Sequence, residues 1–493
     1  MQAEHQDVII IGAGLSGIGA AYHLKKKCPS KTFAILESRS RMGGTWDLFR
    51  YPGIRSDSDI YTLGYNFKPW NDPQAIADGP SILKYIKEAA QENSLEDKIR
   101  YNHQVNAINW CTKTATWTLS VDVEGKLHTL TCNFLLSCTG YYNYEKGYTP
   151  EFEGKEEFAG HFIHPQHWNE KLDYKDKNIV VIGSGATAVT LVPELAKQAA
   201  SVIMLQRSPT YVASVPKNDK LLPILRKLLP NKWVYRFART RNVAFTMAIY
   251  NYCRRFPNHA RKALTNLAKK ELGNEFDMKH FTPKYNPWDE RLCAVPDGDL
   301  FKVLKEGRAR ILTDTIKHFN QEGIVLNSGD TLPADIIVSA TGLDMQFMGG
   351  IAINVDGVPF NVSEAKVYRG VLIENLPNLG MIFGYTNASW TLKSDLTCEY
   401  FCRIINHMEK TQTQQCMPVD DENMEDIPFI DMNSGYISRA LDKVPKQGIK
   451  SPWRLYQNYL RDMMMLRLGQ VDDGVLKFSQ SSEQLQMMPA QMQ

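Results

Sequence analysis

Val8-Ile9-Ile10-Ile11-Gly12-Ala13-Gly14-Leu15-Ser16-Gly17 carries the first structural signal of the chain. The apolar, β-branched run predicts a strand, and the residues after Gly14 run on as a helix to about Leu24. Strand, glycine turn and helix in that order build a dinucleotide-binding unit. The first glycine makes the tight turn, the second lets a pyrophosphate approach the backbone, and the third lets the helix pack on the strand. The phosphates then meet the unpaired N–H groups of a helix N-terminus. The second strand, Thr32 to Leu36, ends in Glu37, 20 positions after Gly17, where a carboxylate can accept hydrogen bonds from ribose hydroxyls. Gly12, Gly14, Gly17 and Glu37 are the expected contacts of one nucleotide cofactor.

The pattern returns at Gly183-Ser184-Gly185-Ala186-Thr187-Ala188, after the strand Asn178 to Ile182. With the two fingerprints superposed, Glu37 lies 25 positions after Gly12 and Ser208 lies 25 after Gly183, with Arg207 beside it. A cation and a hydroxyl in place of the ribose acid suit a 2′-phosphate, which a carboxylate would repel. Gly183, Ser184, Gly185, Ala186, Thr187, Arg207 and Ser208 are therefore expected to hold NADPH rather than NADH. Two unlike sites in one chain let one cofactor pass a hydride to the other, so the first is expected to hold FAD. Dithiol reductases share this layout but place a CxxC pair near the flavin, and the nine cysteines here contain none.

The fold class that follows is α/β, with two Rossmann-like dinucleotide-binding domains, for FAD and NADPH, and a helical insertion in the NADPH domain. Residues 1–147 form the first part of the FAD domain and 148–216 the first part of the NADPH domain. Residues 217–294 are the insertion, 295–342 complete the NADPH domain, and 343–493 return to the FAD domain and the C-terminal region. Thr116 to Val123 and Phe134 to Cys138 read as strands, and Gly79 to Asn93 and Lys393 to Glu409 as helices. A chain of 493 residues with 57 basic and 54 acidic side chains has material for about three units of 150 residues, and its balanced charge names no partner. Scattered cysteines and the lack of a leader pattern before Val8 predict a reducing, cytoplasmic setting.

Between the fingerprints, Phe158, Gly160, His164 and Trp168 fall in the spacing FxGxxxHxxxW. This resembles the signature of Baeyer–Villiger monooxygenases, a branch of the class B flavoprotein monooxygenases; the N- and S-oxygenating branch carries Tyr or Phe where Trp168 stands. Asn169 takes a place where the family usually has Pro or Asp. Gly43-Gly44-Thr45-Trp46 and Tyr51-Pro52-Gly53-Ile54-Arg55-Ser56-Asp57 are similar to a second family signature. Asn286 to Cys293 and Gly384 to Thr391 resemble the ethionamide-activating subgroup, and Ala340-Thr341-Gly342 with Asp344 resembles the segment that leads back to the flavin domain.

The resemblance implies cofactor contacts at Gly44, Thr45, Trp46 and Asp57, and catalytic roles for Asp57 and Arg291. It implies that NADPH reduces the flavin, that O2 adds to give a C4a-peroxyflavin, and that one oxygen enters a ketone to give an ester or lactone, with sulfides as further substrates. N- or S-oxygenation through the same cofactors is the neighbouring reading. Arg291 would stabilise the oxyanion and Asp57 would orient the arginine. Glu290 stands where many relatives carry a lysine that helps hold NADPH. His161, His164 and His167 lack the carboxylates or thiols of a metal set, so no metal is expected.

From Lys217 to Lys270 the chain holds fourteen Lys or Arg and one acid, Asp219, a local charge of +13 in a protein of +3. Interleaved Leu, Ile, Trp and Phe make parts of the block amphipathic. It reads first as a solvated helical cover over the NADPH domain, and second as a surface for peripheral contact with the inner face of an anionic membrane. No nucleic-acid-reading motif accompanies the charge, so no specific nucleic acid is expected. A non-catalytic nucleotide-binding module on membrane or nucleic acid would need this block to matter and the flavin site to be vestigial.

Overall fold

The computed structural model describes residues 3–290, 292–422, 424–432 and 434–481. β1 (Glu4–Ile11) runs into the first glycine turn, α1 (Leu15–Lys27) leaves it, and β2 (Phe33–Leu36) returns parallel to β1, with Val8 opposite Phe33 and Ile11 opposite Leu36. Parallel neighbours need such a crossover helix. α2 (Gly79–Glu92) starts at Asp78, whose carboxylate accepts the Ser81 N–H and so satisfies one of the free donors of the first turn. β3 (Ile99–Arg100) extends the sheet beyond β2. An antiparallel meander follows: β4 (His103–Cys111), β5 (Thr116–Val123) and β6 (Lys126–Ser137). β6 also pairs parallel with β1 from Glu4 opposite Leu130 to Ile11 opposite Ser137. Val8, Ile9 and Ile10 are fully buried, because helices and the meander cover both faces of the strand.

The second unit has its own parallel sheet. β7 (His161–Ile163), β8 (Asn178–Ile182), α3 (Ala186–Leu195) and β9 (Ser201–Gln206) come first. β10 (Tyr211–Val215), α4 (Asn231–Arg255), α5 (Pro257–Leu272) and β11 (Leu292–Pro296) follow, then β12 (Ala309–Thr313) and β13 (Ile336–Ser339). The sheet order is β12-β9-β8-β13-β7, all parallel, while β10 and β11 form a separate parallel pair. The chain then returns to the first sheet, where β14 (Leu379–Met381) pairs with the end of β6, and α6 (Trp390–Thr411) packs on α1.

The structure corrects the sequence reading of 217–294 in two respects. Leu292–Pro296 is a strand, so the last residues of that span are not helical. The helices are also not a cover over the second unit alone. α5 does pack there, with Ala268 and Leu272 in its core, but Val234, Tyr235 and Ala238 of α4 belong to the core of the first unit. Tyr235 donates to the Tyr65 carbonyl at 2.8 Å.

Arg239 fixes that docking. Its buried Nη1 donates to the carbonyls of Tyr61, Thr62 and Gly64 at 2.9, 3.2 and 2.6 Å, and its Nη2 lies 3.5 Å from Asp395. Asp395 also meets His23 at 3.3 Å. Burial pushes the Asp395 carboxyl up, but His23, Arg239 and the Asn66 N–H outweigh it and hold the group below its ordinary value. The stability from this charge is present above the usual aspartate range and is lost as pH falls through the depressed folded value. Arg239→Met leaves three carbonyls without their donor and strips one cation from Asp395. It is expected to cost about 3–5 kcal/mol, read as a fall in Tm and in the denaturant midpoint. Adding Asp395→Asn should return part of that loss; equal Tm values for wild type and Arg239→Met would remove the lock.

Candidate functional site

A cavity of about 960 Å³ opens between the first glycine turn, the 43–59 segment, the N-terminus of α3, α4 and the chain before α6. Of the residues singled out in the sequence, Gly14, Gly44, Thr45, Trp46, Asp57 and Thr187 line it. Gly12, Gly17, Gly183, Gly185, Ser184 and Ala186 build the two turns behind or beside it. Arg207 and Ser208 sit exposed at the end of β9. Arg291 lies outside the described residues, but Trp288 and Leu292 on either side of it in sequence both line the cavity.

The glycines separate by purpose. A Cβ on Gly17 would lie 1.8 Å from the Gly12 carbonyl oxygen, and one on Gly183 would lie 2.3 Å from that of Ala340. Those two are demanded by the protein's own packing. A Cβ on Gly14 meets only the Gly44 backbone, Cα at 3.4 Å and N at 3.7 Å, and one on Gly185 meets nothing within 4 Å. The fold does not need glycine at either second position, whereas a pyrophosphate approaching the backbone does. α1 and α3 also start without a side-chain cap, which leaves their first N–H groups for an anion.

Glu37 is buried at the end of β2, where it accepts the Ala13 N–H at 2.8 Å and the Arg39 N–H at 3.0 Å. Burial pushes its carboxyl above the ordinary range, partly offset by those two bonds. Each oxygen keeps a lone pair for a ribose hydroxyl. Asn387 adds an orphan acceptor to the cavity wall: its amide nitrogen donates to the Gln457 carbonyl at 2.9 Å, while Oδ1 is buried with no partner among the described residues. A buried acceptor left open in this way fits a donor on a bound ring. The glycine turns, the ribose acid and the open acceptor together fit FAD in the first unit.

Tyr51 ties the two units together. It is carried by the segment under the first glycine turn yet is buried in the core of the second unit, on the cavity wall with Thr187, and burial drives its pKa up to about 12. Gly53 in the same loop packs so tightly on α3 that a Cβ would lie 2.3 Å from Glu194 Cγ, and its φ of +77° also favours glycine. His164 marks the crossing of the two connecting strands. Its Nε2 lies 3.2 Å from the Gly342 carbonyl, and a Cβ on Gly147 would lie 1.9 Å from its ring. Burial lowers the His164 pKa, so the histidine of the FxGxxxHxxxW string acts as a neutral spacer at the junction.

Several cavity supports were not singled out in the sequence. Asp47, buried under the Gly43–Trp46 turn, bridges Arg39 and Arg50 at 2.7 Å each and Arg41 at 3.3 Å. Thr45 Oγ1 and Tyr142 Oη are 2.7 Å apart, and the Trp390 indole N–H donates to Ser16 Oγ at 2.8 Å. Asp47 had a signal: an acid between Trp46 and Leu48 with four arginines within eight residues. Trp390 lay in the Gly384–Thr391 string without a role assigned to it, and Tyr142 had no signal, since the partners of both are remote in sequence.

Two dinucleotide-type units joined by Tyr51 and sharing one cavity define a flavoprotein oxidoreductase. The profile of the pyridine nucleotide-disulphide oxidoreductase family matches residues 9–231, from β1 to the start of α4. Over 97% of its length the chain is 50% identical to the FAD-containing monooxygenase EthA of Mycolicibacterium smegmatis (strain ATCC 700084 / mc(2)155), and the match covers 97% of that protein. Among solved structures, OTEMO in complex with FAD and NADP superposes with a TM-score of 0.71 at 20% identity, over 85% of this chain and 88% of that one. An open structure of cyclohexanone monooxygenase gives 0.73 at 19% identity, over 85% and 91%; at these identities the likeness is one of fold. The chain belongs to the family of FAD-containing monooxygenases.

Proposed function

We propose that this chain is an NADPH-dependent Baeyer–Villiger monooxygenase, which holds FAD in the first unit and NADPH in the second and inserts one atom of O2 into ketones to give esters or lactones. Sulfides are its second substrate class. The observation that carries the reading is the shared cavity, where Gly14, the Gly44–Trp46 turn, Asp57 and Thr187 converge from both units. When bound, the flavin supplies the redox chemistry, taking hydride from NADPH and passing the electrons to O2. The protein's part is to bind, align and exclude water. Gly14 and the N-terminus of α1 receive the pyrophosphate, Glu37 the ribose, and Tyr51 with Thr187 keeps the hydride partners in register. Arg291 is the positive charge offered to the oxygen-transfer step, and Asp57 the carboxylate that balances it. Incubation with NADPH, 18O2 and a panel of linear, cyclic and aryl ketones plus sulfides tests the reading. Esters or lactones one labelled oxygen heavier support it; sulfoxides alone would move the assignment to heteroatom oxygenation.

Arg207 and Ser208 are assigned to the 2′-phosphate. The Ser184 hydroxyl donates to the Ser208 carbonyl at 3.1 Å, which holds the end of β9 against the second glycine turn. Glu290 competes there: burial pushes its carboxyl above the usual range and the Arg207 guanidinium pulls it back in part. A charge-assisted hydrogen bond contributes about 1.5–3 kcal/mol. Arg207→Ala is therefore expected to raise the NADPH KM about tenfold to a hundredfold and leave the NADH KM nearly unchanged. Glu290→Gln should lower the NADPH KM, because one negative charge leaves the phosphate's neighbourhood. Steady-state kinetics with both cofactors checks each variant, and equal effects on NADPH and NADH would remove Arg207 from phosphate recognition.

A further inference from the structure

Eleven of the eighteen exposed large apolar side chains among the described residues fall between 221 and 267, a stretch of 47 residues in a chain of 493. Trp233, Phe237, Phe245, Ile249 and Tyr252 along α4, and Phe256 just past its end, are all exposed and are spread over nearly half of the helix circumference. Trp233 is 63% exposed and Phe245 65%. In the N-terminal half of α4, Val234, Tyr235, Ala238 and Arg239 turn away from Trp233 and Phe237 and are buried. An apolar face this concentrated marks an interaction surface.

The charge around it selects the partner. Arg239 is buried, and Arg241 and Arg254 are paired with Asp219 and Asp289. Lys227, Lys232, Arg236, Arg255, Lys262 and Lys269 are exposed and have no acid within ion-pair distance among the described residues. Arg236 stands 5.8 Å over the Trp233 ring, so cation and apolar ring lie side by side. A second copy of this chain would bring like charge onto like charge. Anionic lipid answers both features, with phosphates for the cations and the acyl boundary for the rings. No helix among the described residues is long and apolar enough to cross a membrane, which leaves contact in the plane of the surface.

The cavity ties the face to chemistry. Leu221 and Phe245 are exposed and also line the cavity, next to Lys220, Arg241 and Thr246. We propose that residues 221–229 and α4 seat peripherally on an anionic lipid surface, with the mouth of the cavity opening towards the bilayer, so that apolar substrates reach it from the lipid phase. The delivery of substrate rests on the monooxygenase reading; the docking does not.

The FAD-loaded full chain sedimented with vesicles provides the test. Binding to phosphatidylcholine–phosphatidylglycerol vesicles is expected to exceed binding to phosphatidylcholine alone at least about tenfold and to fall as salt is raised. Because two buried rings leave the lipid boundary, Trp233→Ser with Phe237→Ser should weaken vesicle binding at least about tenfold. FAD content and turnover of a water-soluble substrate should stay at wild-type level, since neither ring lines the cavity. Lys232→Gln with Arg236→Gln should remove the preference for anionic lipid. Absence of binding to anionic vesicles, wild-type binding by the serine variant, a wild-type dimer that this variant breaks, or duplex DNA displacing the protein from vesicles would each overturn the docking. Vesicle binding with no monooxygenation of any substrate would leave the docking in place and sink the functional reading.

Discussion

Gly14→Val is expected to give folded protein that is purified without its flavin. Gly14 sits at φ −81° and ψ −168°, extended backbone open to any residue, and its Cβ would meet only the Gly44 backbone, at an ordinary 3.4 Å from Cα and 3.7 Å from N. The fold therefore has little reason to reject a side chain here. The pyrophosphate has a strong one, because fixed N–H groups at the start of α1 set its position and leave it nowhere to move. Intrusion of methyl groups costs about 1–3 kcal/mol even where the surroundings can shift, so FAD affinity should fall about fivefold to a hundredfold or more. Gly14→Ala should show a milder loss. Gly17→Ala supplies the contrast: with a Cβ 1.8 Å from the Gly12 carbonyl it should damage the fold itself, lowering far-ultraviolet ellipticity and Tm. The ratio of absorbance at the flavin and protein bands, taken with a melting curve, separates the two. A Gly14→Val protein with full flavin content would falsify the assignment of this turn to the FAD pyrophosphate.

That contrast marks what could be read from the sequence and what could not. The strand, glycine turn and helix that place Gly12, Gly14 and Gly17, and the strand end that carries Glu37, were legible because all of them are local in sequence. The second fingerprint was legible for the same reason, with Ala188 fully buried where the third glycine would stand. The fingerprint also told Gly14 from Gly17 by purpose, but not which backbone atoms face each: Gly44 for Gly14 and the Gly12 carbonyl for Gly17. The destination of α4 was also hidden. Its amphipathic pattern shows one face that wants cover, but only the tertiary structure brings Arg239 to three carbonyls between residues 61 and 64 and to Asp395. β11 was missed because five residues beyond a turn carry too little pattern to stand out from a helical neighbourhood; its strand character comes from pairing with β10.

Arg291→Ala is expected to keep FAD and lose oxygenation. The proposed role of Arg291 begins after NADPH has reduced the flavin, when negative charge develops on the oxygen that must meet a carbonyl. A fixed cation in a site shut off from bulk water is most effective there. Trp288 and Leu292, on either side of Arg291 in sequence, both line the cavity together with Asp57. Loss of one preorganised electrostatic partner costs about a hundredfold to a thousandfold in rate. Product formation from a ketone should fall by that amount, while flavin content and the rate of anaerobic flavin reduction by NADPH stay close to wild type. Under air the variant should go on consuming NADPH and release hydrogen peroxide in place of ester. Lysine should rescue only in part, because it restores the charge without the planar, paired donors that can serve a carboxylate and an oxyanion together. Asp57→Asn, which keeps the shape and removes the charge, should lower ester yield less than Arg291→Ala does, since it leaves the cation present but poorly held. If Arg291→Ala makes ester at the wild-type rate with no rise in peroxide, the oxygen-transfer role passes to another group on the cavity wall, and Arg291 with Asp57 serves only to hold the chain.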